Sequence, residues 1–201
     1  MMRSALPGAS SRPELIKIVP RHGRARRSLQ DATAILHDTV ERQFVPGGVT
    51  RNAYIRYLIM NRPLTFIEPA LEAARIHRVL PDWDMRQRRL VLASDMKAMG
   101  IPAGEDRTIS ISDDTGTLLG WSYVLEGSRL GARVILRGIE STRDQELIGA
   151  TQFLRHGAGM DLWTTFTAAL SRIDNDASAI ERASEAARAA FSHIKAVTES
   201  F

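Results

Sequence analysis

The chain has 201 residues, of which 44% are hydrophobic and 25% charged, and its formal net charge is +4. A chain of this length and composition can bury a substantial core in one domain without disulfides or a structural metal. The absence of cysteine excludes a disulfide scaffold, a thiol nucleophile and a zinc–thiolate site. Because the longest apolar runs are far short of a membrane span and the N-terminus lacks the apolar core of a secretory signal, we expect a soluble cytoplasmic protein without membrane contact.

The N-terminal segment is basic and poor in structure-forming residues. Prolines and glycines alternate with serines and arginines over residues 1–25, which predicts a disordered arm before a helical domain at residues 26–201. The basic cluster at the end of this segment consists of Arg21, Arg24, Arg26 and Arg27. It could attract nucleic acid, an acidic protein or an anionic ligand, but a solvated arm is the simplest interpretation. No zinc-finger spacing, helix-turn-helix pattern or aromatic-studded sheet motif supports nucleic-acid recognition.

Apolar residues recur at helical spacing along the rest of the chain, separated by capping residues, glycines and prolines. Ser28 and Asp31 resemble a capping box at the start of the first helix, and Pro69 either kinks or restarts the third. Residues 108–112 alternate enough for a short strand but have no partner strand, so a loop is predicted there. The sequence therefore predicts an all-α, single-domain, multi-helix bundle. Its helices are expected at residues 28–44, 50–61, 63–80, 84–99, 117–140, 143–156, 161–173 and 177–198.

The helix predicted at residues 117–140 contains two glycines in its interior. Gly127 and Gly131 each cost roughly 1 kcal/mol of helix stability relative to alanine. They share one face with Tyr123 and Ile135, so the backbone along that face is bare enough for close approach. The spacing is typical of two closely packed helices, and a flat ligand against the backbone is the alternative.

A histidine in the first helix offers a second candidate site. Thr33, His37, Val40, Glu41 and Phe44 lie along one edge of this helix, so His37 has apolar neighbours and a carboxylate one turn later. A haem-iron ligand needs a partner or a tight pocket that fixes its ring, and Glu41 is placed near enough to act directly or through water. A histidine in the core or at its boundary is the alternative interpretation.

Both helices resemble those of a known family. DATAILHDTVE at residues 31–41 resembles the first-helix pattern of haem oxygenases, in particular of their bacterial, phytochrome-associated branch. LGWSYVLEGSRLGARVI at residues 119–135 is similar to the distal helix of that branch. Supporting matches include RRLVLASDMKAMGI at residues 88–101 and LWTTFTAAL at residues 162–170. The resemblance covers about residues 28–198 and implies a haem oxygenase-like bundle.

The resemblance also implies a reaction and its participants. The family cleaves haem oxidatively to biliverdin, carbon monoxide and ferrous iron. Haem is both substrate and oxygen-activating cofactor, dioxygen is consumed, and electrons come from an external ferredoxin or reductase. The branch further implies a bacteriophytochrome as recipient of the bilin.

The implied site residues come from both helices. His37 matches the proximal ligand to the iron, Glu41 the glutamate beside it, and Gly127 and Gly131 the distal glycines. Ser128 is a candidate for holding the water that supplies a proton. Candidates for the haem propionates, which need cations or hydroxyls at the mouth of the site, are Arg27, Tyr123 and Arg129.

The distal motif departs from that of better-known haem oxygenases. Those carry an aspartate directly after the first glycine, whereas this chain has Ser128, and Ala132 stands where the second of their paired glycines would fall. Glu126 lies about 100° around the helix from Gly127, so a salt bridge is its expected role. A non-catalytic haem- or tetrapyrrole-binding sensor of the same fold is therefore the alternative function.

Overall fold

A computed structural model describes residues 23–41, 49–104 and 107–198, with side chains described over 23–36, 49–104 and 107–197. Residues 1–22 of the predicted arm, and the side chains of His37 and Glu41, lie outside this part of the chain. Within it the architecture is all-helical. The α-helices are α1 Arg24–Glu41, α2 Arg51–Met60, α3 Leu64–Ala73, α4 Arg89–Ala98, α5 Thr115–Thr142, α6 Gln145–Gly149, α7 Gln152–Arg155, α8 Leu162–Leu170 and α9 Ala177–Thr198.

Several boundaries follow from local chemistry that the sequence displays. The Thr50 side chain accepts the amide of Ala53 at 3.2 Å and caps α2, as predicted. α4 ends in a left-handed Gly100, at φ 70°, and the Ile101 amide donates to the Met96 carbonyl at 2.8 Å. This is the closing pattern of a glycine-terminated helix.

The start of α1 differs from its prediction. The helix begins at Arg24, inside the predicted arm, and Ser28 lies in its interior rather than at its cap. The cap comes from a distant residue, because the Asp174 carboxylate accepts the Ala25 amide at 2.8 Å. Since Ala25 is fully buried, the ordered domain includes this first turn of α1.

Two other predicted helices are interrupted. The third predicted helix contains Pro69 without ending there, and it stops at Ala73 before a left-handed Arg75 at φ 61°. The helix predicted at residues 143–156 is instead the short pair α6 and α7. Periodicity missed these breaks because the apolar spacing continues across them.

The C-terminal helix α9 lies at the centre, packed against α5 and α1. Along α5 the glycines that permit close approach are Gly116 and Gly120, where an added methyl group would overlap the carbonyl oxygens of Ala179 and Ala183. At Gly127 and Gly131 no residue in the described part of the chain lies within 4 Å of the same position. No described helix packs against the Gly127–Gly131 pair, and α5 packs on α9 through the earlier pair instead.

Candidate functional site

Helices α1 and α5 meet at one polar contact. Thr33 is buried, its hydroxyl donates to the Leu29 carbonyl at 2.8 Å, and its side chain lies beside the Tyr123 hydroxyl. The Tyr123 ring packs against Trp163 and Phe166, with centroids 6.2 and 6.4 Å away. Burial raises the pKa of the Tyr123 hydroxyl, so it stays protonated at neutral pH. Thr33 and Tyr123 therefore mark the place where α1 and α5 lie beside each other.

The predicted axial and distal residues lie one turn beyond this contact. His37 follows Thr33 by four residues on α1, and Gly127 follows Tyr123 by four on α5, so each pair shares a helix face. Among the described residues, nothing lies within 4 Å of a methyl group built on Gly127 or Gly131. Gly127 and Gly131 thus present backbone of α5 that no described residue covers.

Apolar side chains flank this bare backbone and are unusually exposed. Leu130 is 41% and Val134 68% exposed on α5. Exposed large aliphatic residues grouped around an open helix face are typical of a surface that an apolar ligand or partner covers.

A buried polar cluster lies behind the glycines. Arg88 donates from Nη2 to Ser128 Oγ at 2.8 Å and to the Leu125 carbonyl at 2.7 Å. Ser128 in turn donates to the same Leu125 carbonyl at 2.8 Å. Because that proton is committed within the helix, Ser128 acts here mainly as an acceptor for Arg88.

The position of Arg88 depends on a buried carboxylate of α3. Glu68 accepts the Arg88 amide at 2.9 Å and the Arg89 amide at 2.9 Å, so it caps the start of α4. Burial raises the pKa of Glu68, opposed by these hydrogen bonds and the neighbouring arginines. The guanidinium of Arg88 lies 5.0 Å from the Phe153 ring centroid, and its Nε and Nη1 have no hydrogen-bond partner in the described part of the chain.

Glu126 is the anionic centre of the cluster. It is 2% exposed and pairs with Arg86 at 3.0 Å and Arg129 at 3.0 Å, which is the salt-bridge role expected for it. All three nitrogens of the Arg129 guanidinium are engaged, with Glu126, the Arg86 carbonyl and His156 Nδ1. Burial lowers the pKa of Arg129 to about 10. Arg129 therefore lies in the wall behind the glycines, which corrects its assignment to a haem propionate.

His156 completes this wall. Its Nδ1 is 3.2 Å from Arg129 Nη1, and burial together with Arg129 and Arg88 lowers its pKa to about 4. The imidazole is consequently neutral at physiological pH. A cavity of about 70 Å³ lies between this group and Trp163.

Sequence reasoning missed most of the cluster. Glu68, the neighbours Arg86 and Arg88, and His156 come from three separate segments, and no spacing in the sequence joins these segments. The sequence RRL at residues 88–90 indicates only a supporting match to the family, not a buried cluster. A buried arginine cannot be told from an exposed one by periodicity when its partners are 37 to 40 residues away.

The basic start of α1 provides a cation beside Tyr123. Arg26 lies over the Trp163 ring, 5.4 Å from its centroid, and its charge acts on the Tyr123 hydroxyl. Arg27, the residue predicted to bind a propionate, is exposed on the same turn. The structure thus adds Arg26 as a candidate that the sequence did not single out.

Among the described residues, the other histidines do not form a metal centre. His77 is exposed, and His193 lies between the rings of Phe66 and Trp121 at 5.7 Å from each. Within residues 23–41, 49–104 and 107–198, no group of three or more histidines and carboxylates could hold a metal ion. No helix in these ranges is long and apolar enough to cross a membrane.

The sequence matches the family profile described as Heme oxygenase over residues 24–200. The chain belongs to the haem oxygenase family. The match includes both helices that meet at Thr33 and Tyr123. No curated protein matches the sequence significantly. The resemblance inferred from the two motifs is confirmed at the level of the family, and its phytochrome-associated branch stays a prediction.

A solved haem oxygenase has a similar fold. The NO- and CO-bound heme oxygenase from Neisseria meningitidis superposes with a TM-score of 0.63 at 20% identity, over 89% of this chain and 91% of that one. At this identity the likeness establishes the fold alone. It confirms the predicted all-α, single-domain haem oxygenase-like bundle.

Proposed function

We propose that this protein is a haem oxygenase that cleaves haem to biliverdin, carbon monoxide and ferrous iron. One observation carries the proposal: Gly127 and Gly131 present backbone that no described residue covers, one turn along α5 from Tyr123, which lies beside Thr33 of the helix that contains His37. A porphyrin is flat and apolar, so it suits a face without side chains that is flanked by exposed Leu130 and Val134.

The residues present fit haem as the substrate. His37 would ligate the iron from α1, with Glu41 one turn along to orient its ring. Tyr123 and Arg26 offer a hydroxyl and a guanidinium for the propionates. When bound, haem supplies the iron at which dioxygen is activated, and an external ferredoxin or reductase supplies the electrons.

The contribution of the protein to the reaction is steric and electrostatic. Backbone at Gly127 and Gly131 would crowd one side of the ring and direct oxidation to one meso position. Behind it, Arg88 holds Ser128 and leaves two guanidinium nitrogens free to order water in the adjoining cavity. Water held there can deliver protons to the site without a fixed carboxylate.

A spectroscopic experiment tests the function. The purified full chain is mixed with hemin, its visible spectrum is recorded, and ascorbate or a ferredoxin system is added in air. A Soret band that decays into a bilin absorption, with carbon monoxide released, supports the proposal. A stable Soret band would favour the non-catalytic sensor, and no band at all would exclude both functions.

Delivery of the bilin to a bacteriophytochrome is the finer part of the proposal. It is supported by the sequence EGS at residues 126–128 of the distal motif. Transfer of the product to a bilin-free phytochrome, followed by its red-light photoconversion, tests this step separately.

A further inference from the structure

A second cavity lies away from the α1–α5 cleft. It has a volume of about 560 Å³, which is within the range of small-molecule sites. The end of α2, the start of α3, the end of α4 and the following loop enclose it, and none of its lining residues belongs to α1 or α5.

One wall of this cavity is apolar. Phe66, Met96 and Ile101 are buried there, between 4% and 8% exposed. Phe66 presents an aromatic ring, and the Arg107 guanidinium lies over it at 5.9 Å from the centroid. A planar ring entering the cavity can pack against these side chains.

The charges at the cavity are all of one sign. Arg62, Lys97 and Arg107 line it, and no carboxylate does so among the described residues. None of the three forms an ion pair within the described part of the chain, whereas Arg51, Arg86 and Arg155 elsewhere all do.

The Arg62 side chain is partly buried, but its guanidinium has few hydrogen-bond partners in the described ranges. Its Nε is buried without a hydrogen-bond partner in the described ranges, and Nη2 is 3.5 Å from the Pro102 carbonyl, at the limit of a hydrogen bond. A buried guanidinium nitrogen without a partner is costly, and an anionic oxygen is the partner that would stabilise it most.

From these contacts we infer that this cavity binds an aromatic anion, with its ring against Phe66 and its phosphate or carboxylate oxygens between Arg62, Lys97 and Arg107. The site is separate from the haem cleft, so it can be occupied while haem is bound. It is independent of the proposed function and would stand if the protein proved not to degrade haem.

Calorimetric titration with anilinonaphthalene sulfonate, an aromatic anion, tests the inference. The haem-loaded full chain is used, so that the α1–α5 cleft is blocked. We expect saturable binding at one site, weakened about tenfold by Lys97→Glu and by Arg107→Gln, the loss of a charge-assisted hydrogen bond. Arg172→Gln, which removes an exposed arginine of the turn after α8, is the matched control and should leave binding unchanged.

Competition identifies the anionic group. Displacement of the probe by adenosine monophosphate indicates phosphate, and displacement by indole acetate indicates carboxylate. Displacement by neither, absence of saturable binding, or equal binding by all three variants would overturn the inference. Binding that appears only in the double variant Glu105→Gln/Asp106→Asn would also overturn the inference. The chain's own carboxylates, and not a separate ligand, would then fill the site. Lys97 is exposed, so its variant is expected to fold, which circular dichroism checks.

Discussion

Arg88 and Ser128 are 2.8 Å apart, joined from Nη2 to Oγ across the interface between α4 and α5. The same nitrogen reaches the Leu125 carbonyl, so one buried cation fixes the helix just before its exposed glycines. Since Glu68 anchors the backbone of Arg88, a residue on α3 ultimately positions the wall of the candidate haem site.

Arg88→Leu should therefore affect turnover more than haem binding. The variant loses the guanidinium that holds Ser128 and orders water, and this should slow hemin consumption about tenfold or more. The hemin dissociation constant should change little, because the apolar face of α5 is intact. Arg51→Leu, whose side chain pairs with Glu146 at the surface, is the control. Equal losses of binding and turnover would show that Arg88 only maintains the fold.

The two glycine pairs of α5 should respond in opposite ways to alanine. Gly127→Ala should stabilise the haem-free protein by about 1 kcal/mol, because the methyl group enters open space in a helix. Gly120→Ala should destabilise it by about 1–3 kcal/mol, because the methyl group overlaps α9. Urea unfolding measures both.

A larger residue at position 127 tests hemin binding separately from the stability of the fold. Gly127→Leu should leave the unfolding midpoint near that of the parent but weaken hemin binding, since the side chain occupies the face proposed for the porphyrin. Undiminished hemin affinity in this variant would show that haem lies elsewhere.

His37→Ala should abolish the spectrum of a histidine-ligated haem. The electronic absorption of the hemin complex reports the axial ligand directly. His77→Ala, at an exposed position, serves as the matched control and should keep the parental spectrum. A parental spectrum in both variants would mean that another residue ligates the iron.

Arg26 and Arg27 allow a test of propionate binding within one helical turn. Arg26→Gln should weaken hemin binding more than Arg27→Gln, because only Arg26 lies over Trp163 and acts on Tyr123. Loss of one charge-assisted contact corresponds to about tenfold in affinity. If Arg27→Gln weakened hemin binding more than Arg26→Gln, Arg27 would be the propionate-binding residue, as the sequence predicted.

His156 should make the haem-free protein less stable in mild acid. Its pKa in the folded protein is lowered to about 4 from an ordinary value of 6.5. Between pH 6.5 and pH 4 the unfolded chain therefore binds a proton at this histidine that the folded protein does not bind. Stability is fully present above the ordinary pKa and falls as the pH drops towards about 4. His156→Gln should flatten this slope in urea titrations, and His77→Gln should not.

The sequence determined the helices that build the site and the motifs on two of them. Most helices could be predicted from apolar periodicity and from local signals such as the cap at Thr50 and the glycine stop at Gly100. These signals act over one or two helical turns. The unusual pair Gly127 and Gly131 pointed to a close approach. It left open whether a helix or a ligand makes that approach, because spacing along a helix does not say what lies opposite.

Only the tertiary structure decided which glycines face a helix and which arginines are buried. Gly116 and Gly120 pack on α9, Gly127 and Gly131 remain open, and Arg129 turns inward to Glu126. Helices form through contacts between residues three or four apart, so a short stretch of sequence is enough to predict them. A buried ion pair or a cleft depends on segments brought together from distant parts of the chain, and its partners carry no common signal until the helices have packed.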